Sequence, residues 1–180
     1  TNLMLTNRGM LFLSDTSINL DPSSKELAKI AQMTAKTVKM FGIEPVVALL
    51  SYNNFGSSPF PQGKKVSQAV SYLHRMFPDL IVDGPVQSDF ALNNEMLGER
   101  FPFSSLHNRN VNTLIFPNLD SANITYKIIK ELDNTLSIGP ILMGLYQSAH
   151  ILQLGASVDE IVNMAAIAVI DAQEKLKVKK

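Results

Sequence analysis

Cysteine is absent from the 180 residues, which removes disulfide frameworks, thiolate zinc sites and cysteine nucleophiles together. The redox compartment stays open, with the cytoplasm as the default expectation. Net charge is lacking too: sixteen Lys and Arg balance sixteen Asp and Glu, so no positive field exists to collect counterions from a phosphate backbone, and nucleic acid is not an expected partner. No apolar run approaches the roughly 20 residues of a membrane-spanning helix. The opening TNLMLTNRGMLFLSD is interrupted by Arg8 and Gly9, unlike the apolar stretch of a signal peptide. The reading is of a soluble protein with no membrane partner. What is present is a globular composition, 46% hydrophobic and 18% charged in 19.8 kDa, enough for one domain with a real core. The chain opens on Thr1 with a periodic pattern almost at once, so a fragment of a longer protein is one expectation.

The apolar pattern alternates between strand and helix periods. Residues 9–19, GMLFLSDTSIN, read as a buried strand leaving into a loop. A helix follows, with Ser23 and Glu26 at capping-box spacing, Leu27, Ile30, Ala31, Val38 and Phe41 on one face, and Gly42 as the stop. Its row of Lys25, Lys29, Gln32, Lys36 and Lys39 reads as a solvated face. Residues 46–50 are continuously apolar, as in a strand covered on both sides, and Val66, Ala69, Val70, Leu73 and Phe77 mark the next helix. Short strands are expected at 80–82 and 112–116, a long loop at 98–112, and a helix over 120–132 capped by Asp120. Gly139-Pro140 precedes an apolar segment, 141–145, read as a strand. The last helix, 157–175, has Ser157 and Glu160 at capping-box spacing, and IVNMAAIAVIDA is so apolar that burial nearly all round is predicted, in this core or across an interface. Lys175, Lys177, Lys179 and Lys180 suit the negative end of its dipole. The class is α/β.

In such sheets ligands bind beyond the carboxyl ends of strands. The loop from Ser51 to Ser58, with Gly63-Lys64-Lys65 after it, invites comparison with a phosphate loop. Six residues separate Gly56 from Gly63 where four are required, and Lys65 stands where a magnesium-binding hydroxyl belongs. A more general anion or ligand loop, or ordinary turn chemistry, remains. His74, His107 and His150 are isolated, with no metal-ligand spacing, and read as structural. Asp83 and Asp89 could face one cleft, although capping of the following helix is the simpler role for Asp89. No nucleophile elbow or dinucleotide fingerprint is present.

Four segments, ALLSYNNFGSS, VDGPVQSDFAL, NTLIFPNLDSANITYKI and IGPILMGLYQSAHILQLGASVDEIVNMAAIAVIDAQ, occur in this order and together resemble the phosphate acetyl/butyryltransferase family. SYNNFGS, HIL and the ending IVNMAAIAVIDAQ are similar to one branch, the transferase-like C-terminal region of large bacterial NADP-dependent malic enzymes. The resemblance implies a layered sheet with helices on both faces, of the phosphotransacetylase-like (isocitrate/isopropylmalate dehydrogenase-like) architecture: a second subdomain plus a C-terminal helix, with residues 1–180 a partial domain whose first subdomain lies upstream. It further implies a parent protein that oxidatively decarboxylates malate to pyruvate with NADP and a divalent metal, Mg or Mn, held before Thr1. No metal ligand is expected in this segment. The family pattern before the last helix is Ser-Arg-Gly and then Asp-Ile; here Gln153 and Leu154 precede Gly155, and Glu160-Ile161 replaces the second pair. Loss of a guanidinium from developing phosphate charge is worth ~10²-fold or more in rate.

The expectation is therefore that binding outlasts catalysis. The leading reading is a regulatory and oligomerisation module binding acetyl-CoA or a related acyl metabolite, joined to upstream malic enzyme domains in a homo-oligomer. Candidate ligand-binding residues are Ser51, Asn53 and Ser57, then Asn123, Gly139 and Pro140, then Gln153, Leu154 and Ser157. Two alternatives stand beside it. One is an active phosphate acetyltransferase with Glu160 as base; the other is a structural dimerisation domain that binds nothing, whose oligomers and kinetics would survive mutation of Ser57 or Asn123. A face covered in the family by the first subdomain is expected to be exposed or paired with another copy.

Overall fold

Ser23 opens the first long helix as its spacing predicts: its hydroxyl accepts from Glu26 N, and the Glu26 carboxylate accepts from Ser23 N at 2.8 Å. The helix, α1 (Ser24–Met40), buries Leu27, Ile30, Ala31 and Val38 and leaves its lysines in water. In the computed structural model, which describes residues 1–132 and 135–178, α1 lies on a six-stranded sheet. The strands are β1 (Asn2–Thr6), β2 (Gly9–Ser14), β3 (Val46–Leu50), β4 (Ile81–Val86), β5 (Thr113–Ile115) and β6 (Leu136–Ile138), in the spatial order β4-β3-β5-β2-β1-β6. Strands β4, β3, β5 and β2 are parallel, with Leu13 opposite Leu114 and Ala48 opposite both Leu114 and Asp83.

Alternate residues of these strands serve two layers, as a pleated strand requires. Val47, Leu49, Val82 and Ile115 face α1 and α2 (Pro61–Met76), whose Val66, Ala69 and Leu73 fill the same cluster. Ala48, Leu50, Leu114 and Phe116 face the other way, into a cluster with Ala91, Leu97, Ala122 and Tyr126 from α3 (Ser88–Leu92), α4 (Asn94–Arg100) and α5 (Leu119–Leu132). Helices on both faces were expected, and all five residues of β3 are buried. A third cluster joins Leu3, Phe12, Val38, Ile138 and Ile141 to Met164 and Ile167 of α6 (Val158–Val178).

Several expectations are corrected. The sheet is mixed, because the break in the opening apolar pattern at Arg8 and Gly9 is the turn between β2 and an additional antiparallel strand, β1, that was not expected before Gly9. Thr6 Oγ1 donates to Gly9 O at 2.9 Å there, and Gly9 has φ +104°. Segment 141–145 is not a strand; β6 precedes it and pairs antiparallel with β1. Asp120 is exposed in the first turn of α5, and the capping oxygen is Asn118 Oδ1, which accepts from Ser121 N at 2.9 Å. Asp89 likewise sits inside the first turn of α3, where Gln87 is the N-cap residue. The expected loop 98–112 begins only after α4, which Asn93 caps through Glu95 N and Met96 N.

Helix α6 departs furthest from expectation. It buries one stripe, Met164, Ile167 and Asp171, while Val158, Val162, Val169 and Leu176 on the opposite side are 56–75% exposed. Lys179 and Lys180 lie outside the described residues. No helix among the described residues is long and apolar enough to cross a membrane.

Candidate functional site

The topology opens a crevice between two neighbouring strands. The chain leaves β3 for α2 on one face and leaves β5 for α5 on the other, so the loops part at the carboxyl ends of β3 and β5, which is where open α/β sheets hold ligands. The cleft there has a volume of about 920 Å³, with Leu50, Leu114, Phe116 and Ile129 beneath and Ser51, Gln62, Lys65, Asn118, Ser121 and Thr125 around it. Ser51 is the candidate residue that lines this cleft. Its hydroxyl donates at 2.7 Å to Asn53 Oδ1, and Asn53 is buried against Gly63, where a Cβ would come within 3.0 Å of that oxygen. Asn53 Nδ2 is buried without a partner. Lys65 is held by Asp21 Oδ1 at 2.6 Å and Pro117 O at 2.8 Å, so its ammonium is committed to the wall of this cleft.

The other candidates separate from it. Ser57 is exposed and its hydroxyl accepts from Asn54 N, which makes it a turn former. Asn123 donates to Thr16 O at 3.1 Å and ties α5 to the loop after β2. Asp83 accepts from Ser104 Oγ and Ser105 N, each at 2.9 Å, pinning the segment after α4. Asp89 is exposed, and neither aspartate is among the residues lining this cleft.

Gly139, Gln153 and Leu154 meet in a second, smaller crevice of about 160 Å³, closed by Tyr126 and Lys130 of α5, the 152–156 loop and Glu160 of α6. Pro140 is buried next to Gly139 rather than in the lining. Leu154 is fully exposed, so it supplies an edge and no charge. Both halves of the Ser157 capping box form: Glu160 N donates to Ser157 Oγ at 3.2 Å, and Ser157 N donates to Glu160 Oε2 at 2.7 Å. The other oxygen, Oε1, receives Lys130 Nζ at 3.2 Å. The Ser157 N–H, followed by Lys130, holds the Glu160 carboxyl below its ordinary pKa. Burial works against the Lys130 charge, but the bond to Glu160 and the nearby Tyr126 outweigh it and raise its pKa. Lys130 was not singled out in sequence. Its signal is the spacing from Tyr126, one helical turn, on the face of α5 that α6 approaches.

Behind this loop His150 is structural, as expected of an isolated histidine, and its side chain is only 2% exposed. Its Nδ1 accepts from Leu142 N at 3.2 Å, and its Nε2 lies 3.6 Å from Asp171 Oδ2, which also takes Lys175 Nζ at 2.7 Å. Burial holds the His150 pKa below its usual value; the Asp171 carboxylate opposes this and Lys175 reinforces it. The unfolded chain therefore binds this proton first, near pH ~6.5. The stability carried by neutral His150 is present above that pH and lost as pH falls through it. Urea midpoints measured from pH 8 to 5 are expected to fall below pH ~6.5, with a shallower fall in His150→Asn; equal slopes would refute the assignment.

The sheet, its paired crevices and the Gly155 loop define a class. The chain belongs to the phosphate acetyl/butaryl transferase family, whose model matches residues 1–169. The NADP-dependent malic enzyme of Escherichia coli is 42% identical over 173 residues, 96% of this chain but 23% of that protein. The phosphate acetyltransferase of Clostridium acetobutylicum is 39% identical over 166 residues, 92% of this chain and 50% of the relative. Among solved structures, a phosphotransacetylase from Streptococcus pyogenes superposes with a TM-score of 0.90 at 38% identity, over 96% of this chain and 53% of that one. The chain thus spans about a quarter of the malic enzyme and about half of the phosphotransacetylase.

Proposed function

We propose that these residues are the transferase-like C-terminal region of an NADP-dependent malic enzyme, where they bind acetyl-CoA or a related acyl metabolite and help hold the oligomer, without catalysing acyl transfer themselves. The observation that carries this reading is the small crevice itself. It persists beside Gly155 although an exposed Leu154, in place of the family's arginine, offers nothing to a developing phosphate charge. Malate oxidation, NADP and the divalent metal belong in this reading to other parts of the polypeptide.

Regulation at a distance requires that the effector bind two states unequally, typically by ~1–3 kcal/mol of coupling, or about 5- to 150-fold in affinity. Calorimetric titration of the intact protein with acetyl-CoA is expected to show saturable binding, and malate oxidation is expected to change in its presence. No binding and no kinetic effect together would refute the reading. The similarity to phosphate acetyltransferases supports a second reading, an active transferase with Glu160 as base. Acetyl-CoA formation from acetyl phosphate by the intact protein, abolished in Glu160→Gln, would favour that alternative.

A further inference from the structure

The lysine row of α1 borders a groove that belongs to neither crevice. Lys29, Met33, Lys36 and Met40 follow one another at helical spacing and so share one face of α1, alternating ammonium and thioether. Against this face lies the segment after β6. Gly144, with φ +76°, brings that segment so close to α1 that a Cβ there would stand 2.9 Å from Met33 Sδ. The groove between them has a volume of about 350 Å³, with the buried Ile141 beneath and Met33, Met40, Leu142, Met143 and Leu145 around it. It shares no lining residue with the larger cleft or with the small crevice.

Three rotatable bonds and a polarisable sulfur let a methionine lining adapt to a flexible apolar chain. The volume is at the low end of the ~300–1,000 Å³ of small-molecule sites, which suits a short chain. Charge at the rim then selects one end of it. Of the three lysines there, Lys175 is committed to Asp171 Oδ2 at 2.7 Å and to Gln147 O at 3.2 Å, which also satisfies the aspartate of the lining. Lys29 and Lys36 are exposed and form no ion pair among the described residues. Their stems can lie along the apolar wall with the ammonium groups at its edge. An apolar trough with two uncommitted cations at its rim is complementary to a molecule that is apolar along its length and anionic at one end.

We propose that this groove binds a medium-chain carboxylate, its alkyl chain on Met33, Met40, Ile141 and Met143 and its carboxylate paired with Lys29 or Lys36. The site does not rest on the acetyl-CoA reading, since such an anion carries neither nucleotide nor phosphate and the groove is separate from both crevices.

The test is calorimetric titration of the intact protein with hexanoate, octanoate and decanoate, with 1-octanol and octylammonium as uncharged and cationic controls. Affinity is expected to rise about two- to fourfold with each added methylene, as partial to full burial of a CH₂ implies, and octylammonium is expected to bind more weakly than 1-octanol. Lys29→Gln combined with Lys36→Gln is expected to weaken octanoate about three- to tenfold, the range for two solvated charges, and to leave 1-octanol unchanged. Methionine-methyl NMR spectra locate the site: of the eight methionines, Met33, Met40 and Met143 should shift with decanoate, and Met4, fully buried in the core, should not. Absence of saturable decanoate binding, loss of the chain-length dependence, equal weakening of octanoate and 1-octanol in the double variant, or shifts at other methionines with none at these three would overturn the proposal. So would shifts at these three that track protein concentration rather than decanoate, because a second copy of the chain would then cover the groove. Should the double variant fail to fold, the wild-type titrations and spectra decide.

Discussion

Gly139→Ala is expected to lower the unfolding free energy by about 3 kcal/mol or more, because two independent costs fall on one methyl group. The first is conformational: Gly139 has φ +148°, a region that side chains rarely occupy, worth about 1–3 kcal/mol. The second is steric, since a Cβ there would overlap Asn2 Oδ1, an oxygen that is buried and has no hydrogen-bond partner. Asn2 cannot readily swing aside, because its Nδ2 donates to Thr16 Oγ1 in the loop after β2 at 2.9 Å, a buried bond. Urea denaturation of Gly139→Ala, Asn2→Ala and the double variant separates the costs. The steric part is recovered in the double variant, while the conformational part is not. Because Gly139 also lines the small crevice, acetyl-CoA affinity should fall with it. A loss below about 1 kcal/mol would contradict the close approach on which this rests.

The second large effect concerns association. The 180-residue chain is expected to self-associate at low concentration, and Val162→Asp with Val169→Asp is expected to return it to a monomer. Val158, Val162, Val169 and Leu176 repeat along α6 on the side away from Met164 and Ile167, so charges placed there leave the core cluster untouched. Burying a large apolar side chain is worth about 1.5–3 kcal/mol, so two aspartates in such a contact should weaken it a hundredfold or more, roughly 3 kcal/mol. Sedimentation velocity reads this directly. A wild-type chain that sediments as a monomer would sink the expectation.

The sequence was most informative where structure is local. The Ser23–Glu26 cap, the α1 face and the uninterrupted β3 depend on residues within a few positions of one another, and all three are present. Strand β6 has only three residues, and its partner β1 lies more than 130 positions away, so no local pattern marks it. In segment 141–145 Ile141 is buried against Met164 and Ile167, whereas Leu145 is exposed and the segment does not join the sheet. Apolarity there was silent on pairing. The same limit explains α6, whose composition fits a helix covered all round although this chain covers one stripe.

At the site, the resemblance led to Gly139, Gln153, Leu154 and Glu160, which do converge, and to Ser51, which lies in the larger cleft. Lys130 escaped notice because its importance depends on which face of α5 meets the 152–156 loop, a fact of tertiary packing. Ser57 and Asn123 were the reverse case: polar residues in promising segments whose hydrogen bonds are spent on a turn and on a tether.

Strand β1 sits between β2 and β6 and pairs with both. A break within residues 2–6 would leave β6 without a neighbour and remove Asn2 from beside Gly139. Arg8, exposed at the turn between β1 and β2, offers trypsin a cut on the far side of that strand. Resistance to cleavage there would measure how firmly the opening strand is stitched in, and so how well the distant crevice around Gly139 keeps its shape.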